Sequence, residues 1–138
     1  MTQMDQSASL RSISDDKLET SDPAEDVRGR RVVDKTGEDI GHVDDLLVDD
    51  REHKVRFFRV AAGGFLGLGE AKFLIPVDAI TKIDDKTVHV DQTRDHVASG
   101  PRYDPTLIDE PYLNSVYGHY GYGPYWGAGY MYPMFPFY

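Results

Sequence analysis

Among the residues of this sequence, the acidic side chains come closest in type and spacing to the ligands of a metal site. A run of aspartates spans residues 44–50, and Glu52 follows closely. Oxygen-rich segments of this kind can hold calcium or magnesium. The run lacks the D-x-D-x-D-G order of a calcium loop, and alternation along a strand sends neighbouring side chains to opposite faces. The sequence therefore predicts no metal site here, but solvated carboxylates that pair with Arg56 and Arg59.

Neither the histidines nor the serines show the spacing of a catalytic centre. The sequence contains no HExxH or His-x-His pattern and no G-x-S-x-G nucleophile elbow. It contains no cysteine, so thiolate catalysis, disulfides and cysteine-ligated zinc are excluded. We therefore expect a protein that is not an enzyme and has no cofactor. The histidines are His42, His53, His89, His96 and His119.

A glycine-rich run, GGFLGLG at residues 63–69, suggests a phosphate-binding loop. No Gly-Lys-Ser/Thr follows it and it contains no G-x-G-x-x-G, so phosphate binding is not predicted. The glycines instead predict a connection with a tight backbone path. Its apolar residues Phe65, Leu66 and Leu68 either form a contact surface for a partner or plug the interior of the fold. The sequence leaves both open.

The most unusual segment is residues 106–138, here called the aromatic tail. It holds 8 Tyr, 1 Trp and 2 Phe with 5 Gly and 4 Pro, and it has no basic residue. Gly and Pro are expected to break helices and strands there. The tail is interpreted either as a low-complexity segment prone to self-association or as a docking segment whose tyrosines offer large contact area. Its candidate interaction residues are Tyr117, Tyr120, Tyr122, Tyr125, Trp126, Tyr130, Tyr132, Phe135 and Phe137.

The charge of the chain argues against nucleic acid as a ligand. The net charge is −9, and no segment has the excess of Lys and Arg with which proteins displace counterions from phosphates. The first residues lack a basic region followed by an apolar run, so no signal peptide is expected. No stretch approaches the roughly 18 apolar residues of a membrane-spanning helix. A cytoplasmic location is the expectation, with the membrane surface and the cell exterior as alternatives.

Between residues 30 and 92 the sequence has the texture of short strands. Thr36-Gly37-Glu38 predicts a tight hairpin, and Val88 and Val90 alternate with polar neighbours. The apolar residues between Ile40 and Val48 do not alternate, which predicts a bulge or burial of both faces. Pro76 is expected at an edge, a bulge or a strand end.

Composition divides the chain into three parts. Residues 1–26 are polar and are expected to form a disordered acidic leader. Residues 27–105, with five or six strands and a short helical turn after Thr93, predict an all-β fold in the form of a small barrel. Residues 106–138, the aromatic tail, are expected to be flexible, so that the barrel folds without them.

The central region resembles the PRC-barrel family, the small β-barrel found in the photosynthetic reaction-centre H subunit and in a ribosome maturation factor. The resemblance rests on DVRGRRVVDKTGEDIG, VDDLLVDD, RFFRVAAGGFLGLGEAKFLIPVDAI and the closing PRYDP, within the range Asp26–Pro105. It implies a closed or partly open PRC-type barrel. It also implies a stand-alone interaction module, often dimeric, and no catalytic residues.

The function expected from sequence is therefore non-enzymatic. The barrel is expected to bind a protein partner or a second copy, and the aromatic tail to promote self-association. The alternative is a membrane-peripheral subunit of an electron- or proton-transfer complex, in which Trp and Tyr would lie at the lipid interface. A ribosome-assembly accessory is a third option, disfavoured by the acidic charge.

Overall fold

A single curled sheet organises the described part of the chain, which in this computed structural model comprises residues 10–12, 26–49, 51–62 and 71–133. The sheet forms a strongly curled half-barrel with strand order β5-β4-β3-β2-β7-β6, and β1 pairs with β3. Its strands are β1 (Leu10–Ser12), β2 (Arg31–Val33), β3 (Asp39–Asp49), β4 (Val55–Ala62), β5 (Ala71–Pro76), β6 (Ile80–Ile83) and β7 (Thr87–Val90). Two helices follow, α1 (Arg94–Ala98) and α2 (Glu110–Tyr120). The all-β fold with a short helical turn after Thr93 is confirmed.

The hairpin between β2 and β3 is held by one buried carboxylate. Gly37 has a φ of 91°, which supplies the left-handed conformation that the turn needs. Asp34 accepts hydrogen bonds from the backbone nitrogens of Thr36 and Glu38, each at 2.8 Å. Its second oxygen accepts from the nitrogen of Arg94 at 2.8 Å. The predicted hairpin is confirmed, and its aspartate also ties the hairpin to α1.

The long pair β3–β4 is the centre of the sheet. Its register shifts between Val43 and Asp45 and again between Leu47 and Val48. These bulges reset the phase, and both strands are largely buried on both faces, which confirms the expectation drawn from the broken alternation. At Gly41 the strands approach so closely that a Cβ would lie 2.1 Å from the carbonyl oxygen of Ala61.

The strands after Pro76 join the first part of the sheet through a parallel pair between β7 and β2. Pro76 is the last residue of β5, as expected for a residue that cannot donate to a ladder. A 3-10 turn at Val77–Ala79 leads into β6, and β7 then pairs in parallel with β2. Val88 and Val90 are buried while Thr87 and His89 are partly exposed, which confirms the predicted alternation.

Segments on both sides of the central region contribute an element to the described fold. Residues 10–12 form β1, which pairs with β3 from Leu10↔Asp49 to Ser12↔Leu47. A polar segment can join a sheet because the backbone of a strand edge offers hydrogen bonds whatever the side chains are. At the other end, α2 is an ordered helix inside the aromatic tail. The expectation that Gly and Pro break helices in the tail is therefore wrong at α2, whereas disorder in the leader stays a prediction.

Candidate functional site: the aromatic tail on the barrel

The site is built around Arg56, the second residue of β4, whose side chain is 2% exposed. Asp49, at the end of β3, is equally buried, and its Oδ2 accepts hydrogen bonds from Nε at 3.2 Å and from Nη2 at 2.9 Å. Glu52, on the intervening turn, pairs with the same Nη2. An uncompensated buried charge costs several kcal/mol. Burial alone would lower the pKa of Arg56, but these two carboxylates outweigh it and raise the pKa.

The turn between β3 and β4 positions both carboxylates. Asp49 Oδ1 accepts a hydrogen bond from the backbone nitrogen of Arg51 at 2.7 Å, and His53, with a φ of 57°, reverses the chain. The backbone nitrogen of His53 donates to the carbonyl of Asp49 at 2.9 Å. One carboxylate oxygen of Asp49 therefore holds the turn, while the other oxygen pairs with Arg56.

Three tyrosines of the aromatic tail surround the Arg56 guanidinium. Its central carbon lies 4.4 Å from the ring centroid of Tyr125, 5.4 Å from that of Tyr132 and 5.8 Å from that of Tyr130. The ring of Tyr132 also lies 4.7 Å from Lys54 Nζ, and its hydroxyl donates to the carbonyl of Val55 at 3.2 Å. Arginine stacks favourably on aromatic faces. These contacts fix the tail against the first residues of β4.

Asp78, in the 3-10 turn before β6, contacts the same part of the tail. The hydroxyl of Tyr130 donates to its Oδ2 at 2.9 Å, while Oδ1 is buried and accepts no hydrogen bond from the described residues. Burial raises the pKa of Asp78, and the hydrogen bonds from Tyr130 and from its own backbone, together with the Arg56 charge, only partly offset it. A pocket of about 310 Å³ lies between this carboxylate and residues 123–131.

Helix α2 carries the tail into the hydrophobic core. Asp109 caps its first turn by accepting from the nitrogen of Tyr112 at 3.0 Å, and Gly121, with a φ of 81°, ends it. The residues that this helix buries are Leu113, Val116, Tyr117 and Tyr120. Helix α2 is not among the elements expected from the sequence, although these residues are spaced i, i+3, i+4, i+7, which is typical of an amphipathic helix.

Two of the expected interaction residues thus lie in the interior. Tyr117 is 1% exposed and packs on Phe57 with ring centroids 5.0 Å apart. Tyr120 is 5% exposed and contacts His96 and His119 edge-on. Both side chains stabilise this chain's own fold, so they are not placed to contact a second molecule.

Five others lie together on the surface and are half-buried. Trp126 packs edge-on against Tyr117 and Tyr125, and the Tyr122 hydroxyl donates to Asp91. Next to them Met131 is 84% exposed. We name this set the aromatic surface; it consists of Tyr122, Tyr125, Trp126, Tyr130, Met131 and Tyr132.

The remaining expected contact residues lie outside the described residues. Phe65, Leu66 and Leu68 belong to residues 63–70, and Phe135 and Phe137 belong to residues 134–138. Their role in binding a partner stays a prediction.

The aspartate run pairs with arginines as predicted, but several of its members are buried rather than solvated. Asp45 is 0% exposed. Asp44 accepts from Arg59 Nε at 2.8 Å and lies 2.7 Å from Lys72 Nζ. Burial alone would raise the pKa of Asp44, but these two bases outweigh it and lower the pKa. Across the described ranges, no group of three or more His, Asp or Glu side chains has the geometry of a metal site.

Two histidines join α1 to α2. Their rings stack with centroids 3.9 Å apart and planes 7° from parallel. The Nε2 of His96 lies 2.7 Å from the carbonyl oxygen of His119, and the Nε2 of His119 lies 2.6 Å from that of His96. This reciprocal arrangement holds the start of the tail against the barrel.

Comparison with protein families identifies the central region of the chain. Residues 19–97, more than half of the 138-residue chain, match the PRC-barrel domain. No curated protein matches the chain. The matched range includes β2 to β7, whereas α2 and the aromatic surface lie beyond it. With the curled sheet and the sequence match in agreement, this chain belongs to the PRC-barrel domain family.

Proposed function

We propose that this protein is a non-enzymatic interaction module that assembles with copies of itself through the aromatic surface. Membership of the PRC-barrel family supports an interaction role in general terms. The observation that carries the proposal is that these aromatic side chains are fixed on the barrel yet remain partly exposed beside Met131, which is 84% exposed. Tyr, Trp and Met are enriched where proteins bind one another.

Fixing the aromatic rings before binding favours association. Tyr125, Tyr130 and Tyr132 already contact Arg56, so a partner would not bear the full entropy of ordering them. The surface that results is apolar and aromatic at its centre. The acid Glu52 and the base Lys54 lie close by, and a polar rim around an apolar centre is the usual anatomy of an interface.

The glycine-rich run remains a second expected contact. Phe65, Leu66 and Leu68 are proposed to contact a partner together with the aromatic surface. Their contribution can be measured independently, because they belong to a different part of the sequence.

The test is the mass of the full-length protein in solution. Met131→Asp places a charge on the aromatic surface without touching the core, and Asn114→Asp adds the same charge on the exposed side of α2. In light scattering over a concentration series, wild type and Asn114→Asp should form larger species than Met131→Asp. Equal masses for all three proteins would overturn the proposal.

A further inference from the structure

The pocket beside the aromatic surface has the size and the lining of a site for one aromatic side chain. Its volume of about 310 Å³ exceeds the roughly 150 Å³ in which a protein cavity holds a benzene molecule. Pro124, Tyr130 and Met131 give it apolar walls, and the glycines of residues 123–129 add no side chains to it. A ring that enters the pocket would also cover part of Met131, which is 84% exposed.

The charges near the pocket favour an uncharged occupant. The turn before β4, the start of β4 and the 3-10 turn before β6 together supply three bases and three acids, so their formal charges cancel. The bases are Arg51, Lys54 and Arg56, and the acids are Asp49, Glu52 and Asp78. An apolar segment that binds here adds no charge that would have to be desolvated.

A segment with matching chemistry directly follows the aromatic surface in the sequence. Residues 133–138 read PMFPFY, which contains a PxxP pattern, two phenylalanines and no charged side chain. Aromatic grooves recognise PxxP segments because these favour the extended polyproline conformation before they bind and lose little entropy on binding. Tyr125 and Trp126, whose neighbours on both sides line the pocket, supply rings on which the prolines can pack. Phe135, between the two prolines, supplies the ring for the pocket.

The course of the chain favours the pocket of a second copy over the pocket of the same chain. The Tyr132 hydroxyl donates to the carbonyl of Val55 and its ring lies over Lys54, so the chain has passed the pocket and is held at the start of β4. Tyr132 and Phe135 each precede a proline, which favours an extended backbone at both. A return of Phe135 to its own pocket, beside Met131, would need a reversal within the two residues between them.

The short distance between the segment and the pocket determines how two copies can meet. Phe135 follows Pro133 by two residues and Met131, on the pocket wall, precedes it by two, so the Cα of each lies within about 7.6 Å of the Pro133 Cα. Phe135 of one copy can therefore reach the pocket of another only where two aromatic surfaces face each other. A two-fold axis between these surfaces brings the second Phe135 to the first pocket at the same time.

We propose that two copies of this chain form a two-fold dimer by exchanging residues 133–138, with Phe135 of each copy in the pocket of the other. The prolines of the segment pack on Tyr125 and Trp126 of the second copy. The inference rests on the proposed function, in which the aromatic surface binds a second copy, and it names the segment that this surface binds. Because each contact occurs twice, the assembly is a closed pair and not an open fibre.

Sedimentation equilibrium of the 138-residue chain tests the exchange. The wild type should form a dimer and nothing larger. Phe135→Ala should weaken the dimer about a hundredfold, because burial of one ring strengthens association roughly tenfold or more and the dimer buries two. Met134→Ala is the matched control, since it shortens a neighbouring side chain without removing a ring or a proline, and it should leave the dissociation constant nearly unchanged. An equal loss in both variants would overturn Phe135 as the occupant.

A mixture of two variants distinguishes exchange between copies from a contact within one chain. Ala128→Leu fills the pocket of a copy whose Phe135 is intact, whereas Phe135→Ala leaves the pocket intact. Each variant alone lacks both contacts of the dimer, but one copy of each retains one contact. The equimolar mixture should therefore associate about tenfold more tightly than either variant alone. A mixture that associates no better than its components would overturn the exchange.

Circular dichroism shows whether each variant is folded. If Ala128→Leu does not fold, Met131→Asp takes its place as the pocket variant in the mixture, because Met131 also lines the pocket.

Failure of this inference is distinguishable from failure of the proposed function. If Met131→Asp reduces the solution mass but Phe135→Ala does not, another segment or another protein occupies the pocket; the exchange is then wrong and the aromatic surface stands. Species larger than a dimer in the wild type would overturn the two-fold exchange and leave self-association in place. A wild type that stays monomeric at every concentration would overturn both proposals.

Discussion

Among single residues, Arg56 has two functions that one apolar side chain could not combine. Its charge pairs with Asp49 inside the sheet, and its planar guanidinium offers stacking faces to Tyr125 and Tyr132. A buried ion pair is weak support for stability by itself, because well-packed apolar residues often replace it without loss. Here the ion pair orients the guanidinium, and the guanidinium determines where the tyrosines lie on the barrel.

Arg56→Ala should therefore destabilise the protein by about 3–5 kcal/mol, because it leaves the Asp49 charge buried and uncompensated. The control is Arg31→Ala, whose pair with Asp39 has side chains 52% and 56% exposed and should contribute about 0–1 kcal/mol. Urea unfolding followed by fluorescence measures both, since Trp126 is the single tryptophan in the sequence. Similar losses in the two variants would contradict a structural role for the buried pair.

At the scale of elements, the contact between α1 and α2 depends on close packing of a histidine pair. Gly100, just after α1, has no side chain, and a Cβ there would lie 2.7 Å from Cδ2 and 2.8 Å from Nε2 of His119. The His119 ring cannot move aside without leaving both the stack with His96 and its hydrogen bond to the His96 carbonyl. The absence of a side chain at position 100 is thus what lets the two helices meet.

Gly100→Ala should cost about 1–3 kcal/mol, the usual range for overpacking, and the cost should depend on His119. In a His119→Ala background the same substitution should be nearly neutral, because the ring that it displaces is gone. A double-mutant cycle by thermal unfolding gives the coupling energy directly. Additive effects would show that the clash is relieved elsewhere and that the histidines do not carry this contact.

Among the strands and helices, some were predictable from the sequence and others were not. The strands and turns followed from local signals, such as Gly37, Pro76 and the alternation at Val88 and Val90. Helix α2 also had its signals, with Asp109 as cap, Gly121 as stop and apolar residues at helical spacing, but the surrounding Gly and Pro outweighed them in the interpretation. The contact of the tyrosines with Arg56 had no local signal. It depends on residues about 70 positions apart that meet only in the folded chain.

At the scale of the whole molecule, the family match and the folded unit have different boundaries. The PRC-barrel match ends at residue 97, yet the core continues into α2, which adds Leu113, Val116 and Tyr117 to it. In the part of the chain that the structure describes, no helix is long and apolar enough to cross a membrane. The sheet and helix α2 thus share one hydrophobic core, and most of the aromatic surface packs against it.

Two truncated chains measure separately what α2 and what the aromatic surface contribute. A chain that ends at Gly121 keeps α2 and should unfold cooperatively, with reduced stability and without self-association. A chain that ends at Asp109 also loses the side chains that α2 buries, each of which stabilises the fold by about 1.5–3 kcal/mol. Their sum is comparable with the whole stability of a small domain, about 5–15 kcal/mol, so this chain should show no cooperative transition in circular dichroism.

A full cooperative transition in the chain that ends at Asp109 would mean that the barrel folds alone, as the sequence predicted, and that α2 is not required for its folding. The chain that ends at Gly121 serves as the matched control, because it lacks the same aromatic surface and differs only in α2.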